Sequence, residues 1–222
     1  MIPKVAGELR NLNHASVNRL VARLSLKFAC EFQGRDTRPL RGAVAFLLML
    51  MMPLAVVADA PPAEPEGYRL DNYLAATPLT IEGRLALNTR EAKELWEGRS
   101  AVFVDVLTAP RRPDGLPAGA VWAPQPRLDV PGSVWLPDVG RGALSAEREA
   151  WFRAELMRIT GGDLAVELIF YCRANCWMSW NATKRALDWG YVNAQWYRDG
   201  TDGWQAAGFP LAKAEPPETM PN

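Results

Sequence analysis

The chain has 222 residues, 49% of them hydrophobic and 23% charged, a globular balance with enough apolar content for a sizeable core. Its 25 basic and 25 acidic residues cancel to a formal charge of zero, so bulk electrostatics ask for neither a nucleic acid nor an anionic membrane. The catalytic inventory is short, with one histidine, His14, and three cysteines, Cys30, Cys172 and Cys176.

From Gly42 to Ala58 the chain reads GAVAFLLMLMMPLAVVA, an uncharged apolar run behind Arg35, Arg38 and Arg41 and ahead of Asp59, Glu64 and Glu66. The run is shorter than the ~20 residues that span a bilayer, contains Pro53 and ends in small residues, which is the layout of a signal peptide. Cleavage is expected after Ala58, so residues 1–58 are a leader, the first 41 read as an over-extended start ahead of the signal peptide. The basic flank stays inside and the acidic flank goes out, placing the rest in the periplasm with no stable membrane insertion after cleavage. The exported part keeps 17 basic and 22 acidic residues, a formal charge of −5, and loses both His14 and Cys30. Without a histidine it can build no Ser/His/Asp triad, no Cys/His dyad and no ordinary zinc site.

Residues 59–84 are expected as an acidic, proline-rich spacer and N-terminal extension, since DAPPAEPEG at 59–67 offers too little apolar surface to fold. Thr89 caps a predicted helix through Arg99, with Ala92, Leu95 and Trp96 on one face. Ala101–Leu107, AVFVDVL, is a continuous apolar run of the kind buried on both sides in a parallel sheet. Pro110, Pro113, Gly115, Pro117 and Gly119 then make a long irregular loop. Ser133–Leu136 reads as a second short strand, and Ser145 opens a helix to about Ile159 that Gly161 and Gly162 stop. Leu164–Tyr171 is a third strand ending at Cys172, Ser179–Trp189 a helix closed by Gly190, Val192–Trp196 a fourth strand and Thr201–Ala207 a last helix. Residues 213–222 are expected as a disordered tail. Strands alternating with helices give an α/β class.

A thiol at the C-terminal end of a parallel strand, facing the N-terminus of the next helix, sits among unpaired N–H groups and the positive end of the helix dipole. That makes Cys172 the candidate nucleophile or persulfide carrier. If the end of the loop runs like a helical turn, Cys176 lies ~6 Å away between α-carbons, inside the ~4.4–6.8 Å reach of a disulfide, and is the candidate resolving thiol. Arg173, Ala174, Asn175, Trp177, Met178 and Ser179 complete the loop, with Trp177 and Met178 as an apolar rim. Cys172, Cys176 and Met178 are also three soft sulfur donors within seven residues, a set that suits Cu(I). Trp135, Trp189 and Trp204 are expected to pack in the domain, whereas Trp122, Trp177, Trp180 and Trp196 are freer to line a pocket or an interface. No resident cofactor is expected.

The segment FYCRANCWMSWNATKRALDWGYVNAQWYRDGTDGWQAAGFPL resembles the second half of a rhodanese domain: a strand into a cysteine loop, then Ser179, Ala182, Ala186, Leu187, Gly190, Tyr191 and Asn193, and finally Gly203, Trp204, Ala207, Gly208 and Pro210. VFVDVL resembles the strand carrying that family's aspartate, at Asp105, and VPGSVWLP resembles the motif that follows its histidine. The resemblance implies a rhodanese-like domain over residues 85–212, with a central, mainly parallel sheet flanked by helices, and sulfurtransferase-like or dithiol chemistry supported by Asp105. Within that group, NCWMSWNATKRALDWGY resembles a bacterial family named for a CXXCW motif and associated with catabolism that depends on pyrroloquinoline quinone. That resemblance implies an exported protein supporting alcohol oxidation, its partner a periplasmic quinoprotein dehydrogenase system or a small sulfur or thiol substrate.

Three residues separate the cysteines here where the family name specifies two. Active sulfurtransferases place an arginine five residues after the cysteine, with serine next, whereas Met178 holds the position before Ser179. Leu107 stands where arginine often follows the aspartate, Leu128 and Asp129 replace the polar pair before Pro131, and Arg173 is the cation nearest in sequence. Without the loop arginine a phosphate dianion lacks its bidentate partner, which disfavours phosphatase chemistry. Three readings follow: a thiol enzyme or carrier, a Cu(I) carrier, or a binding module that kept the fold and lost catalysis.

Overall fold

A computed structural model describes residues 60–215, 217, 220 and 221, and the expected leader, with His14 and Cys30, lies outside them. In chain order the elements are β1 (Thr80–Ile81), β2 (Arg84–Leu85), α1 (Thr89–Gly98), β3 (Val102–Asp105), β4 (Leu128–Asp129), β5 (Val134–Trp135), α2 (Ala146–Thr160), β6 (Leu168–Tyr171), α3 (Trp177–Asp188), β7 (Ala194–Trp196), α4 (Gly200–Ala206) and β8 (Ala212–Lys213). β5, β3, β6 and β7 lie side by side in that order, all parallel, and one rung runs Val134, Val104, Phe170, Trp196 across them. This is the expected α/β architecture, a central parallel sheet with helices on both faces.

Alternation along β6 sorts its side chains between two cores. Leu168, Phe170 and the following Cys172 pack with Phe152, Leu156, Ala182 and Ala186 of α2 and α3. Ile169 and Tyr171 pack on the other face with Ala92 of α1 and Trp204 of α4. All four β6 residues are fully buried, and each large apolar side chain so placed stabilises the fold by roughly 1.5–3 kcal/mol. Among the described residues no helix is long and apolar enough to cross a membrane.

Helix boundaries follow the capping chemistry, with two differences from expectation. α1 is capped by Asn88, not Thr89: Asn88 Oδ1 accepts from Glu91 N and Glu91 Oε2 accepts from Asn88 N, both at 3.0 Å, a reciprocal capping box. Thr89 instead turns inward to Tyr197, 3.1 Å between hydroxyls. α2 starts as expected, with Ser145 Oγ accepting from Arg148 N at 3.2 Å, and stops at Gly161 in the left-handed conformation, φ 64°. α3 begins at Trp177, two residues before Ser179, and its N-cap is Cys176.

Two small sheets, unread in the sequence, fasten the chain ends. β1 and β2 form a hairpin whose turn residues, Glu82 and Gly83, both have positive φ, with Glu64 accepting from both of their amides. β8 pairs antiparallel with β4, so Lys213, expected in the tail, faces Leu128, and Ala214 N donates to Arg127 O at 2.9 Å. A strap, residues 68–77, crosses the start of α3. Arg69 and Asn181 exchange two hydrogen bonds, Trp177 N donates to Tyr73 O at 2.8 Å, and Leu74 bridges Cys176.

Candidate functional site

β6 ends at Tyr171, and the next five residues turn at the C-terminal edge of the sheet into α3. Asn175, at φ 52°, makes that turn in the left-handed conformation that asparagine tolerates better than most residues. The Cys172 carbonyl is held by three donors: Thr201 N at 3.1 Å, Thr201 Oγ1 at 3.2 Å and Arg127 Nη2 at 3.2 Å. Gly200 permits this approach, since a β-carbon there would lie 2.6 Å from the same oxygen. The peptide that presents the sulfur is therefore fixed from its carbonyl side.

Cys172 and Cys176 are both free thiols, 0% and 1% exposed. Cys172 Sγ lies 3.2 Å from Ser179 Oγ, which donates its own hydrogen to Cys176 O at 3.1 Å and accepts from Trp196 Nε1 at 3.0 Å. The Cys172 thiol points at three acceptors, Ser179 Oγ at 3.2 Å, the Cys176 carbonyl at 3.6 Å and the Arg173 carbonyl at 3.7 Å. Burial pushes the Cys172 thiol well above its ordinary value. Cys176 moves the other way: the hydrogen bond from Cys172, helped by the backbone N–H groups of Met178, Arg173 and Ser179, outweighs burial and lowers its pKa. Because α3 begins at Trp177, its N-cap is the second cysteine, Cys176, while Cys172 directly follows the end of β6.

The other loop residues divide between surface and core. Arg173 is half-exposed and turned toward Asp202, Nε to Oδ2 3.7 Å, so it puts no charge on the sulfurs. Ala174 N donates to the same carboxylate at 3.2 Å. Met178 is buried with its backbone against Gly140, where a β-carbon would come within 2.2 Å of Met178 O. Trp177, expected as rim, is 3% exposed and donates its indole N–H to Ala76 O in the strap. Trp180 and Trp196, expected to be freer, are buried with it, their N–H groups on Thr80 O and Ser179 Oγ. These three tryptophans pack together in one buried core cluster with Ile81.

Asp105, at the end of β3, is fully buried and accepts from Arg127 Nε at 2.5 Å. Arg127 had no place in the sequence reading. The signal for it is the aspartate itself: a buried carboxylate in a histidine-free part of the chain needs a cation. Arg127 supplies, from the segment pinned by β8, the charge that Leu107 lacks. Asp129 is buried close by, and desolvation, with Asp105 second, raises it to about 7. Desolvation likewise outweighs the ion pair at Asp105 and raises it to about 6. A cleft of about 370 Å³ opens on the outer side of this cluster, lined by Arg127, Thr201, Thr108, Gln125, Gln205 and Leu211 among others. Among the described residues no group of three or more His, Cys, Asp or Glu side chains is arranged to hold a metal ion.

No protein-family model and no curated protein matches the chain. Among solved structures it is similar to a thiosulfate sulfurtransferase from Pseudomonas aeruginosa, with 24% identity over 59% of this chain and a TM-score of 0.40. The match spans only 20% of that longer chain. It is also similar to an uncharacterized protein from Saccharomyces cerevisiae, with 24% identity, a TM-score of 0.35, and coverage of 55% of this chain and 92% of that one. The rhodanese-like arrangement expected from the sequence, a cysteine loop between a parallel strand and a helix N-terminus at the C-terminal sheet edge, is the one the chain adopts.

Proposed function

We propose that this chain is an exported, rhodanese-type dithiol protein that acts through Cys172 and Cys176, with Cys176 the thiolate and Cys172 the thiol that supports it. The observation that carries the reading is the placement of two free, buried thiols at one strand-to-helix turn, Cys172 directly after β6 and Cys176 at the N-cap of α3. In the reaction this arrangement suits, Cys176 sulfur attacks one sulfur of a disulfide substrate, forming a mixed disulfide and releasing a thiolate that takes up a proton. Cys172 then loses its proton and attacks Cys176 sulfur, closing the intramolecular disulfide and releasing the second thiol. The substrate gains two electrons and two protons, and the cysteine pair loses them. A dithiol from the same compartment returns the pair by the reverse exchange.

Transfer of sulfur from a small anionic donor draws less support, since Arg127 is turned to the Cys172 carbonyl and Arg173 to Asp202. Export rests on the apolar run at 42–58, and disulfide exchange suits an oxidising exported space. The role in pyrroloquinoline quinone-dependent alcohol oxidation, with a quinoprotein dehydrogenase system as partner, rests on the NCWMSW segment.

Titration of the full chain against a thiol–disulfide buffer tests the reading. Wild type should lose two hydrogens and form one intramolecular disulfide, while Cys172→Ser should stop at a mixed disulfide on Cys176. If Cys172 and Cys176 of wild type both stay reduced throughout, and Cys172→Ser and Cys176→Ser both support growth on alcohol as well as wild type does, the dithiol reading fails.

A further inference from the structure

The strap over the cysteine loop is an extended polypeptide, and it is bound there through its backbone. Trp177 N donates to Tyr73 O at 2.8 Å, Trp177 Nε1 donates to Ala76 O at 3.0 Å, and Leu74 makes an antiparallel bridge with Cys176. Two donors on one residue of α3 thus read carbonyls three positions apart in an extended chain, while the bridge sets its direction. Leu70 and Leu74 are 67% and 63% exposed, while Tyr73 and Ala75 pack on the core and Arg69 lies 5.4 Å from the Trp177 ring centroid, so side chains anchor the strap at its flanks and backbone bonds hold it at Trp177.

The donors that could hold a small anion are already engaged. Ala174 N is taken by Asp202, Trp177 N by the Tyr73 carbonyl, and both nearby guanidinium groups face elsewhere. What the surface above the sulfurs offers outward is a pair of N–H groups spaced for a peptide.

Building on the dithiol reading above, we propose that the surface formed by Cys176 and Trp177 is a peptide-binding site, held closed in cis by residues 68–77. The strap must lift before either sulfur reacts, and the substrate that takes its place is an extended polypeptide segment, a protein thiol or disulfide, not a free inorganic sulfur anion. The hinge is at Asn72, exposed and at φ 44°, just before the residue whose carbonyl is bound. A left-handed conformation costs a residue such as alanine more than asparagine or glycine, so the closed strap can be weakened at this one position without touching the sulfurs or the core.

The experiment uses the full chain, iodoacetamide as a small neutral thiol probe, and a synthetic peptide with the strap sequence YRLDNYLAAT. Asn72→Ala should speed alkylation of the cysteines on the order of fivefold to thirtyfold under native conditions, while Asn72→Gly should stay within about twofold of wild type. Saturating peptide added in trans should slow the Asn72→Ala reaction back toward the wild-type rate. Equal rates in wild type and Asn72→Ala would overturn the gate. Acceleration that no concentration of the peptide suppresses would overturn the binding site. If Asn72→Ala melts globally, seen as loss of the native near-ultraviolet tryptophan signal, peptide protection of the wild-type protein during long alkylation decides in its place. Alkylation reads access to the sulfurs whether or not the pair turns over, so failure here is distinct from failure of the dithiol reading, which the serine variants test.

Discussion

The peptide of Cys172 separates two regions that solve the problem of buried polarity in different ways. On its sulfur side, Ser179, Trp196 and Cys176 surround the thiol, and hydroxyl, indole and sulfur satisfy one another within an apolar cluster. On its carbonyl side, one guanidinium, Arg127, sits with two buried carboxylates, Asp105 and Asp129. Among the described residues the first region contains no charged side chain other than the thiol pair, which carries one negative charge when Cys176 is ionised. The second holds two carboxylates against one cation, and burial raises the pKa of both acids, with Asp105 adding to the rise at Asp129. One side is arranged for proton-coupled sulfur chemistry, and the other for holding that sulfur's backbone still.

The charged side should prove the more fragile. Arg127→Ala leaves Asp105 buried without a partner and removes a donor from the Cys172 carbonyl, so we expect a loss of about 3–5 kcal/mol by chemical denaturation at neutral pH. The loss should shrink at mildly acidic pH, where Asp105 takes a proton. A change under about 1 kcal/mol would mean that the pair does not organise this edge of the sheet.

On the sulfur side, Ser179→Ala strands the Trp196 indole N–H and removes the nearest partner of the Cys172 thiol, at a cost of about 1–3 kcal/mol. Because the hydroxyl also fixes the Cys172 sulfur, this variant should blur the difference in reactivity between the two cysteines, and site-resolved alkylation measures that directly.

The pH dependence of stability carries the signature of the acidic pair. Asp105 is raised to about 6 and Asp129 to about 7 from an ordinary 3.8, so the folded state holds protons that the unfolded state has already released. Stability should therefore fall as pH rises from the ordinary carboxylate range to about neutral, and level off above it. Asp129→Asn should flatten the upper part of that descent, as followed by denaturation midpoints. A profile that rises over the same interval would contradict the assignment. The smallest effect belongs to Arg173→Ala, which breaks a half-exposed pair with Asp202: about 0–1 kcal/mol in stability, with cysteine alkylation rates unchanged.

How far these features could be read from the sequence depended on the range of the interactions that make them. The caps at Ser145 and Gly161 act within a few residues, and helix and stop lie where local chemistry puts them, as does the strand end at Tyr171, although the strand starts at Leu168 and not at Leu164. Ser179 misled for the same reason. It looks like an N-cap, but its hydroxyl faces inward to Cys172 and Trp196, and α3 starts two residues earlier. That displacement puts the N-cap at Cys176. Arg127 meets Asp105 across 22 residues of proline-rich loop, and charge balance asks for a cation without choosing among Arg111, Arg112 and Arg127. The strap at 68–77 is held largely through its backbone and shows no periodicity, so no side-chain pattern marks it.

The assignment of thiolate and thiol within the pair is tested most directly by alkylating the full chain from mildly acidic to alkaline pH and reading Cys172 and Cys176 separately by peptide mass spectrometry. Strap opening limits both sulfurs alike, so their ratio reports their relative acidity. Cys176 should react first at mildly acidic pH and lead Cys172 by more than about tenfold, with Cys172 rising only under alkaline conditions. A Cys172 that reacts first at mildly acidic pH would contradict the account.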